Sequence, residues 1–518
     1  MSIFSQVANP NVPSNTFDLS HDRKFSGQIG QLIPTLCQET VPGDNMNIKA
    51  SNMLRFAPML APIMHQVSVY THFFFVPNRI LWDNWEDFIS GGEDGYSNPA
   101  FPQLVPNVAG NQHQIKIGSL GDYLGLPNAQ FTSATPINAL PFAAYQKIYN
   151  DYYRDENLID PVDETLVDGQ NNIQKFDVLR NRAWQHDYFT SALPWTQKGP
   201  EATIPLGTTA PVNLIDNPNQ PFLVTDLTGA PTNNQALFSG NAGQLAANGS
   251  GNQTVLDPNG QLEADLSTAA AASINDLRRA FRLQEWLERN ARGGSRYIEI
   301  IMSHFGVKSS DSRLQRPEFL GGSSTPVTIS EVLQNSDDSA QTTPQGNMAG
   351  HGLSVGSSDT VNYRCEEHGF IIGIMSIMPK SAYQQGVPKV FSKFDKFDYY
   401  WPSFANIGEQ AIQNQELFMD ESDNKNDDTF GYTPRYAEYK YIPSSVHGEM
   451  KSTLDFWHMG RIFQNRPTLN ESFIECDGSG DDIDRIWAVE DAPENLYVYL
   501  HNNIKARRPM PYFGTPTI

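Results

Sequence analysis

The sequence has few cysteines, little charge and no long hydrophobic run. Its three cysteines, Cys37, Cys365 and Cys476, are far apart and form no CxxC pair, so the pattern indicates neither a disulfide framework nor a zinc site. No apolar stretch approaches the roughly 18 residues that cross a bilayer. The first residues, MSIFSQVANPNVPSNTF, lack the basic flank and apolar core of a signal peptide. We therefore expect buried free thiols, no membrane segment, and a chain that is made and kept in a cytoplasm-like space.

Positive charge is scarce overall and absent from one long segment. The chain carries 36 Lys and Arg against 58 Asp and Glu, a net charge of -22, which argues against a protein that grips nucleic acid over most of its surface. Residues 199–277, the basic-free segment, contain no Lys or Arg and are rich in turn residues. A disordered linker would fit this composition. Because PFLVTDL, QALF and TVLD are apolar enough to pack together, we favour an ordered, surface-projecting insertion over residues 200–272.

Residues 65–85, HQVSVYTHFFFVPNRILWDNW, predict a strand with two apolar faces that ends at Pro77. Alternation divides its side chains between one face (Val67, Val69, Thr71, Phe73 and Phe75) and the other (Ser68, Tyr70, His72 and Phe74). A helical spacing follows the strand. We expect the second face to be covered by insertions or by a neighbouring subunit, with Trp82 and Trp85 beginning the cover. The alternative is a strand buried within one subunit with no neighbour involved.

The remaining pattern is typical of a mainly β protein with few helices. Alternating or doubly apolar runs predict strands at residues 296–305, 368–380 and 496–504. One clear helix is predicted to begin after Ser273 and end at Gly293-Gly294. Its apolar stripe comprises Ile274, Leu277, Phe281 and Leu287. Strands so far apart in sequence favour a single sandwich domain over residues 1–518 with long loop insertions, and not βαβ repeats.

The motifs that suggest catalysis or metal binding lack the surrounding residues that such sites require. Gly352 to Gly356 matches the GxSxG pattern of a hydrolase, but no buried strand precedes it and no helix follows it. The acidic runs at residues 420–428 and 477–485 lack the glycine and glutamate positions of an EF-hand loop, although a looser calcium site stays open. No histidine pair has HxH or HExxH spacing. We assign no catalytic, metal or cofactor-binding residue and expect no enzyme activity.

Several long motifs together resemble one protein family. They are FDLSHDRKFSGQIGQLIPTLCQETVPGD (17–44), MLRFAPMLAPIMHQVSVYTHFFFVPNRILWDNWEDFISGG (53–92), RAWQHDYFTSALPWTQKG (182–199), NDLRRAFRLQEWLERNARGGSRYIEIIMSHFGV (275–307), RLQRPEFLGGSSTP (313–326) and ARRPMPYFGTP (506–516). In this order they resemble the major capsid proteins of the Microviridae, and among them the gokushoviruses, which are small tailless phages with single-stranded DNA. The basic-free segment lies where these proteins carry their large variable insertion.

The resemblance implies both a fold and a set of partners. The fold is an eight-stranded viral jelly roll, an antiparallel β-sandwich. Sixty copies would form a T=1 icosahedral shell around circular single-stranded DNA, assembled in the host bacterial cytoplasm. The implied partners are a small basic DNA-binding protein, pilot or minor virion proteins and a host cell-surface receptor, with no membrane. The insertion at residues 200–272 would form trimeric contacts at the three-fold axes, as a protrusion that meets the receptor.

The net charge requires a particular arrangement if the shell encloses DNA. Sixty chains at -22 each repel a packaged polyanion unless acidic segments face outward and basic residues face inward. We predict that the DNA is contacted by basic residues near the two ends of the chain: Arg23, Lys24, Lys505, Arg507 and Arg508. Phe25, Tyr512 and Phe513 are the aromatic residues expected to stack on bases.

A glycan-binding protein or glycan-cleaving enzyme is the alternative of a different class, because jelly-roll sandwiches with aromatic loops also serve those functions. Such an enzyme would need two carboxylates facing each other across a cleft, and one sequence does not show that geometry.

Overall fold

The computed structural model describes residues 13–106, 112–200, 202, 274–334, 346–422, 424–478, 480–489 and 494–513, and the backbone of six short strands between residues 212 and 264. These residues belong to two compact units. The first consists of residues 1–196 and 293–518, and the second is Gln197–Arg292. Within the described part of the chain, no helix has both the length and the apolar character needed to cross a membrane.

The strands are short in the insertions and long in the sandwich. In chain order they are β1 (Asn15–Asp18), β2 (His21–Gly27), β3 (Ile33–Thr40), β4 (Asn45–Phe56), β5 (Val67–Pro77), β6 (Gln103–Val105), β7 (His113–Gln114), β8 (Gln130–Phe131), β9 (Ile137–Asn138), β10 (Gln170–Asn172), β11 (Val212–Leu214), β12 (Val224–Asp226), β13 (Leu237–Ser239), β14 (Leu245–Ala247), β15 (Thr254–Leu256), β16 (Leu262–Ala264), β17 (Glu318–Pro326), β18 (Thr328–Leu333), β19 (Met348–Ser357), β20 (Val361–Arg364), β21 (Gly369–Pro379), β22 (Glu409–Gln413), β23 (Thr429–Pro434) and β24 (Leu496–Arg508).

The helices lie between these strands. In chain order they are α1 (Trp85–Ser90), α2 (Leu120–Leu124), α3 (Leu140–Ile148), α4 (Ile173–Phe176), α5 (Ile274–Gly293), α6 (Tyr297–Phe305), α7 (Asn414–Leu417), α8 (Glu471–Ile474) and α9 (Asp481–Asp484).

The long strands form the predicted eight-stranded jelly roll. One sheet contains β2, β24, β4 and β19 as neighbours in that order, and β1, β18 and β20 extend it. The facing sheet has the order β3, β21, β5 and β17. All pairs between these strands are antiparallel. Among the eight strands β2, β3, β4, β5, β17, β19, β21 and β24, successive strands alternate between the sheets except where β5 and β17 pair with each other. This alternation is the connectivity of a jelly roll.

Two long excursions interrupt the jelly roll. Residues 78–317, the first insertion, connect β5 to β17, and residues 380–495, the second insertion, connect β21 to β24. The other connections between sandwich strands are short, so nearly all of the chain outside the two sheets belongs to these insertions.

The predicted two-faced strand is β5, and its face assignment is confirmed. Val67, Val69, Phe73 and Phe75 pack into the core between the two sheets, together with alternate residues of β4 and β24. Phe74 on the opposite face belongs to a second cluster, which contains Trp82 and the helix α3. The cover over the second face is therefore formed by residues 80–179 of the first insertion, within the same chain. It also covers β21, which is buried along its whole length.

Burial under this cover changes the chemistry of a histidine. His72 accompanies Phe74 on the covered face, and its Nδ1 lies 2.8 Å from the Tyr153 hydroxyl. Desolvation, with a smaller contribution from the nearby Arg182 guanidinium, lowers the pKa of His72 to about 4. The ring is thus neutral at physiological pH.

Residues 296–305 were predicted to be a strand, and this prediction is wrong. They form α6, which begins after Arg296 and ends at Gly306 in the left-handed conformation, with φ 68°. The Glu299 carboxylate accepts a hydrogen bond from the Arg296 backbone N–H at 3.0 Å and so caps the first turn. Alternation over ten residues also contains the i, i+3 spacing of a helix, and the local caps decided between them.

The second unit contains the predicted long helix, which is confirmed as α5. An ion pair between Glu285 and Arg289, 3.4 Å apart, joins residues four apart on its surface. Leu287 is buried, whereas Phe281 of the same predicted stripe is exposed. Ser273, the predicted cap, lies outside the described residues.

Most of the predicted insertion at residues 200–272 also lies outside the described residues, so its protruding position stays a prediction. Its described strands form three nested antiparallel pairs: β11 with β16, β12 with β15, and β13 with β14.

Candidate nucleic-acid interface

The larger sheet has one face toward the core and one toward solvent. In β4 and β24, buried and accessible side chains alternate along nearly the whole strand, as the period of a half-buried strand requires. Cross-strand partners share a face, so the accessible positions of β1, β2, β4, β19, β20 and β24 form one continuous surface. We call this surface the open face.

Three of the five basic residues predicted from the sequence lie on the open face. Lys505 and Arg507 of β24 are exposed and stand opposite Asn47 and Asn45 of β4. Lys24 of β2 is exposed opposite Tyr499, and its Nζ lies 5.6 Å from the centroid of that ring. Residues from the two ends of the chain therefore meet on one surface, because β2 and β24 are adjacent strands.

The other two predicted residues point inward. Arg23 donates hydrogen bonds to the main-chain carbonyls of Pro34 and Tyr123, and burial lowers its pKa. Nε of Arg508 lies 3.3 Å from the buried carboxylate of Asp44, and Nη2 donates to the Glu39 carbonyl at 2.7 Å. Both guanidinium groups are engaged inside the fold and are poorly placed to contact a phosphate.

The sequence-based prediction missed three cations on the open face. Lys49 and Arg55 are accessible positions of β4, and Arg364 is an accessible position of β20 opposite Asn45. The signal for the first two was present in NMNIKASNMLRF, where polar and apolar residues alternate and place both cations on the polar face. No comparable pattern marks Arg364.

The open face is basic although the chain is acidic. It presents Lys24, Lys49, Arg55, Arg364, Lys505 and Arg507 against the carboxylates of Asp18 and Asp22 at the accessible strand positions. Six cations against two carboxylates contrast with a net charge of -22 for the whole chain. A hydrogen bond from His501, 2.6 Å away, lowers the pKa of Asp22, so this carboxylate is already partnered.

Aromatic side chains accompany these cations. Tyr497 and Tyr499 are accessible positions of β24, in the row that continues to Lys505. Tyr512, predicted to stack on bases, stacks instead on Phe17 with ring centroids 5.8 Å apart, while Phe513 is exposed. Phe25 packs edge-on against Tyr123 below the sheet. Exposed rings beside cations are the usual combination in proteins that bind single strands.

The GxSxG motif lies inside the sandwich. Residues 352–356 are part of β19, and Ser354 is buried with its hydroxyl donating to the Pro326 carbonyl at 3.0 Å. A serine in mid-strand without a following helix has none of the geometry of a nucleophile elbow.

Comparison with known proteins identifies the family. A family model described as Capsid protein (F protein) matches residues 5–518. The chain belongs to this phage capsid family. Capsid protein VP1 of Bdellovibrio phage phiMH2K is 37% identical over 531 residues, which cover 99% of this chain and 97% of that protein. Capsid protein VP1 of Chlamydia phage 1 is 35% identical and that of Spiroplasma virus 4 is 32% identical, each over 99% of this chain and 97% of its own length.

The family assignment agrees with the observed jelly roll and establishes the general role of this chain. Membership confirms the predicted likeness to Microviridae capsid proteins of the gokushovirus type, and the relatives are structural proteins and not enzymes. The chain is a component of the virion, and a capsid protein assembles with copies of itself into a shell.

Proposed function

We propose that sixty copies of this capsid protein form a T=1 shell around circular single-stranded DNA, with the open face toward the genome. The observation that carries this proposal is the charge contrast between the open face, with six cations and two carboxylates, and the acidic chain as a whole. The opposite side of the sandwich is covered by the first insertion. Among the residues that the structure describes, the open face therefore combines exposed positive charge with accessible rings over several adjacent strands.

The excess negative charge of the shell requires a further source of positive charge around the DNA. Neutralising the phosphates by Lys and Arg releases condensed counterions, which is the main source of affinity for single strands. Six cations per subunit cannot offset the remaining negative charge of each chain over long distances. A small basic DNA-binding protein therefore supplies additional positive charge, and pilot or minor virion proteins complete the particle.

An image reconstruction of genome-containing particles tests the shell. We expect closed particles of sixty subunits in which nucleic-acid density lies against β4 and β24, next to Lys49 and Lys505. Particles emptied of DNA provide the control, because density that persists in them belongs to protein. DNA density against the first insertion, with the open face toward the exterior, would contradict the proposed orientation.

We propose that the insertion at residues 200–272 contacts the host receptor and makes trimeric contacts at the three-fold axes. The pairing of Val212 with Ala264 supports a compact excursion, because it brings two distant positions side by side. The absence of Lys and Arg from this segment supports a position away from the DNA.

Deletion of residues 205–265, with a short Gly-Ser bridge, is expected to leave particle assembly intact and to abolish adsorption to host cells. The physical reason is that the described strands of this segment pair with each other and not with the jelly roll. Particle yield is measured by sedimentation and adsorption by loss of free particles from the medium. Unmodified particles serve as the control, and failure of the deleted chain to assemble would show that the segment is structural.

A further inference from the structure

The second insertion carries an exposed aromatic surface that the DNA-binding proposal does not use. It consists of apolar side chains from residues 390–401 and 439–442, which we call the aromatic platform: Val390, Phe391, Phe394, Phe397, Tyr399, Tyr400, Trp401, Tyr439, Tyr441 and Ile442. Phe394 is 90% exposed and Ile442 is 93% exposed. Large exposed apolar patches are rare on soluble monomeric proteins and usually mark an interaction site.

The platform is held in place from below by a buried tyrosine. The Tyr436 hydroxyl accepts a hydrogen bond from the Trp401 N–H at 3.3 Å and donates one to the Tyr399 carbonyl at 3.1 Å. Tyr436 itself has φ 62°, a left-handed conformation that is uncommon for a bulky residue. Its N–H donates to the Gln410 side chain, which fixes this conformation. The rings above it are therefore preorganised, which lowers the entropic cost of binding a partner.

Two lysines at the edge of the platform are paired within the chain. Nζ of Lys393 lies 2.8 Å from the carboxylate of Glu438 and 4.0 Å from the centroid of the Tyr439 ring. Lys389 is paired with Glu416 at 3.0 Å. Lys396 and Lys440 of the same segments are exposed, but Asp395 and Asp398 stand close to Lys396 in the sequence. The platform therefore has no strong excess of positive charge, so a nucleic acid is a poor candidate for its partner.

The size and composition of the platform fit a protein interface. With about 150–250 Å² for a buried aromatic side chain, its exposed area is on the order of 1,000 Å². The largest apolar patch on a typical monomer is about 300–600 Å², and one side of a standard interface is about 800 Å². Tyr, Trp and Phe are also the residues that interfaces concentrate at their centres.

We propose that the aromatic platform docks against a second copy of this chain in the shell. A capsid protein is surrounded by copies of itself, and contacts in obligate assemblies are the most apolar class of interface. This inference rests on the proposed shell and adds a surface through which neighbouring subunits contact each other. The platform then contributes contact between subunits on the second insertion, while the open face is left for the genome.

Photo-crosslinking tests the identity of the partner. Phe394 is replaced by the photo-reactive amino acid p-benzoylphenylalanine, and purified particles are irradiated and separated by denaturing electrophoresis. The expected product has twice the mass of the chain and contains only its peptides. A cross-link to a different virion protein, or no cross-link, would overturn the proposal. Electron microscopy before irradiation shows whether closed particles form at all, which separates failure of the shell from failure of the platform.

A paired substitution tests the importance of the contact. Phe394→Asp with Ile442→Asp is expected to lower particle yield about tenfold or more, because two apolar residues would be replaced by charges in a buried contact. Phe394→Leu with Ile442→Leu is the matched control and keeps the yield within about twofold. Both double variants should unfold at the same temperature as the wild-type chain, since the replaced side chains are exposed within one subunit. Equal particle yields from the two variants would contradict the proposal.

Discussion

A Gly30→Ala chain is expected to be less stable than the wild-type chain by about 4 kcal/mol or more and to yield little folded protein. Gly30 has φ +86°, and a Cβ added there would lie 1.9 Å from the carbonyl oxygen of Cys476. Because the obstructing atom belongs to the main chain, no side-chain rotation relieves the clash. The two segments would have to separate, which breaks the packing around them.

The position matters because both insertions meet the jelly roll there. The Gly30 N–H donates to the Ile377 carbonyl of β21 at 2.9 Å, and the Gly30 carbonyl accepts from the Arg182 N–H of the first insertion at 2.7 Å. The Cys476 N–H of the second insertion in turn donates to the Arg182 carbonyl at 2.9 Å. Separation at this point therefore loosens both insertions together, and we expect loss of particle assembly as well as of stability.

Gly95→Ala provides the matched control. Gly95 also has a left-handed φ, +73°, but a Cβ added there meets nothing within 4 Å. Its substitution is expected to cost about 1 kcal/mol, the backbone cost alone. Urea denaturation of the two purified variants compares their free energies of unfolding, with the yield of soluble protein as a second readout. If the Gly30→Ala chain were as stable as the Gly95→Ala chain, the close approach of the Gly30 and Cys476 main chains would not constrain this position.

Removal of cations from the open face is expected to weaken single-stranded DNA binding about a hundredfold at 150 mM salt. The variant carries four substitutions: K24Q, K49Q, K505Q and R507Q. For single strands each phosphate contact contributes about 0.7 to the slope of log K against log salt, so the slope should fall by about 3 when four contacts are lost. The measurement is a fluorescence titration of labelled oligonucleotide with dissociated subunits at several salt concentrations.

A control variant separates the open face from net charge. It also loses three lysines and one arginine, all from exposed positions off the open face: K116Q, K308Q, R313Q and K380Q. Its net charge changes by the same amount, so a general electrostatic effect would weaken both variants equally. We expect the control to keep the wild-type slope. A slope that falls equally in both variants would mean that DNA is attracted by the whole chain and is not contacted through this sheet.

We do not expect Arg23 and Arg508 to contact DNA as the open-face cations do. Both guanidinium groups are bonded inside the fold, Arg23 to main-chain carbonyls and Arg508 to a carbonyl beside the buried Asp44. Their prediction as DNA contacts came from clustering of basic residues near the chain ends, and that clustering does not report which direction a side chain takes. In a strand, neighbouring residues point to opposite faces, so Arg23 and Lys24 cannot both face the DNA.

Several elements could be predicted because their causes are local. The faces of β5 follow from strict alternation between Val67 and Phe75, and the bounds of α5 follow from its apolar spacing and the terminal glycines. Residues 296–305 were assigned incorrectly because a short run satisfied both periods, and the deciding feature was the capping contact between Glu299 and Arg296. Periodicity therefore predicts secondary structure best where the residues fit only the strand period or only the helical period.

The sequence by itself determined the family, through the family resemblance the jelly-roll class, and the acidic character of the chain, because long motifs and composition require no knowledge of distant contacts. The tertiary structure decided which cations are free. Arg23 is engaged by Tyr123 and Arg508 by Asp44, whereas Lys49 and Arg364 become neighbours of Lys505 and Arg507 through strand pairing. The physical reason is that a surface is made by register between strands hundreds of residues apart, and register depends on how the whole core packs.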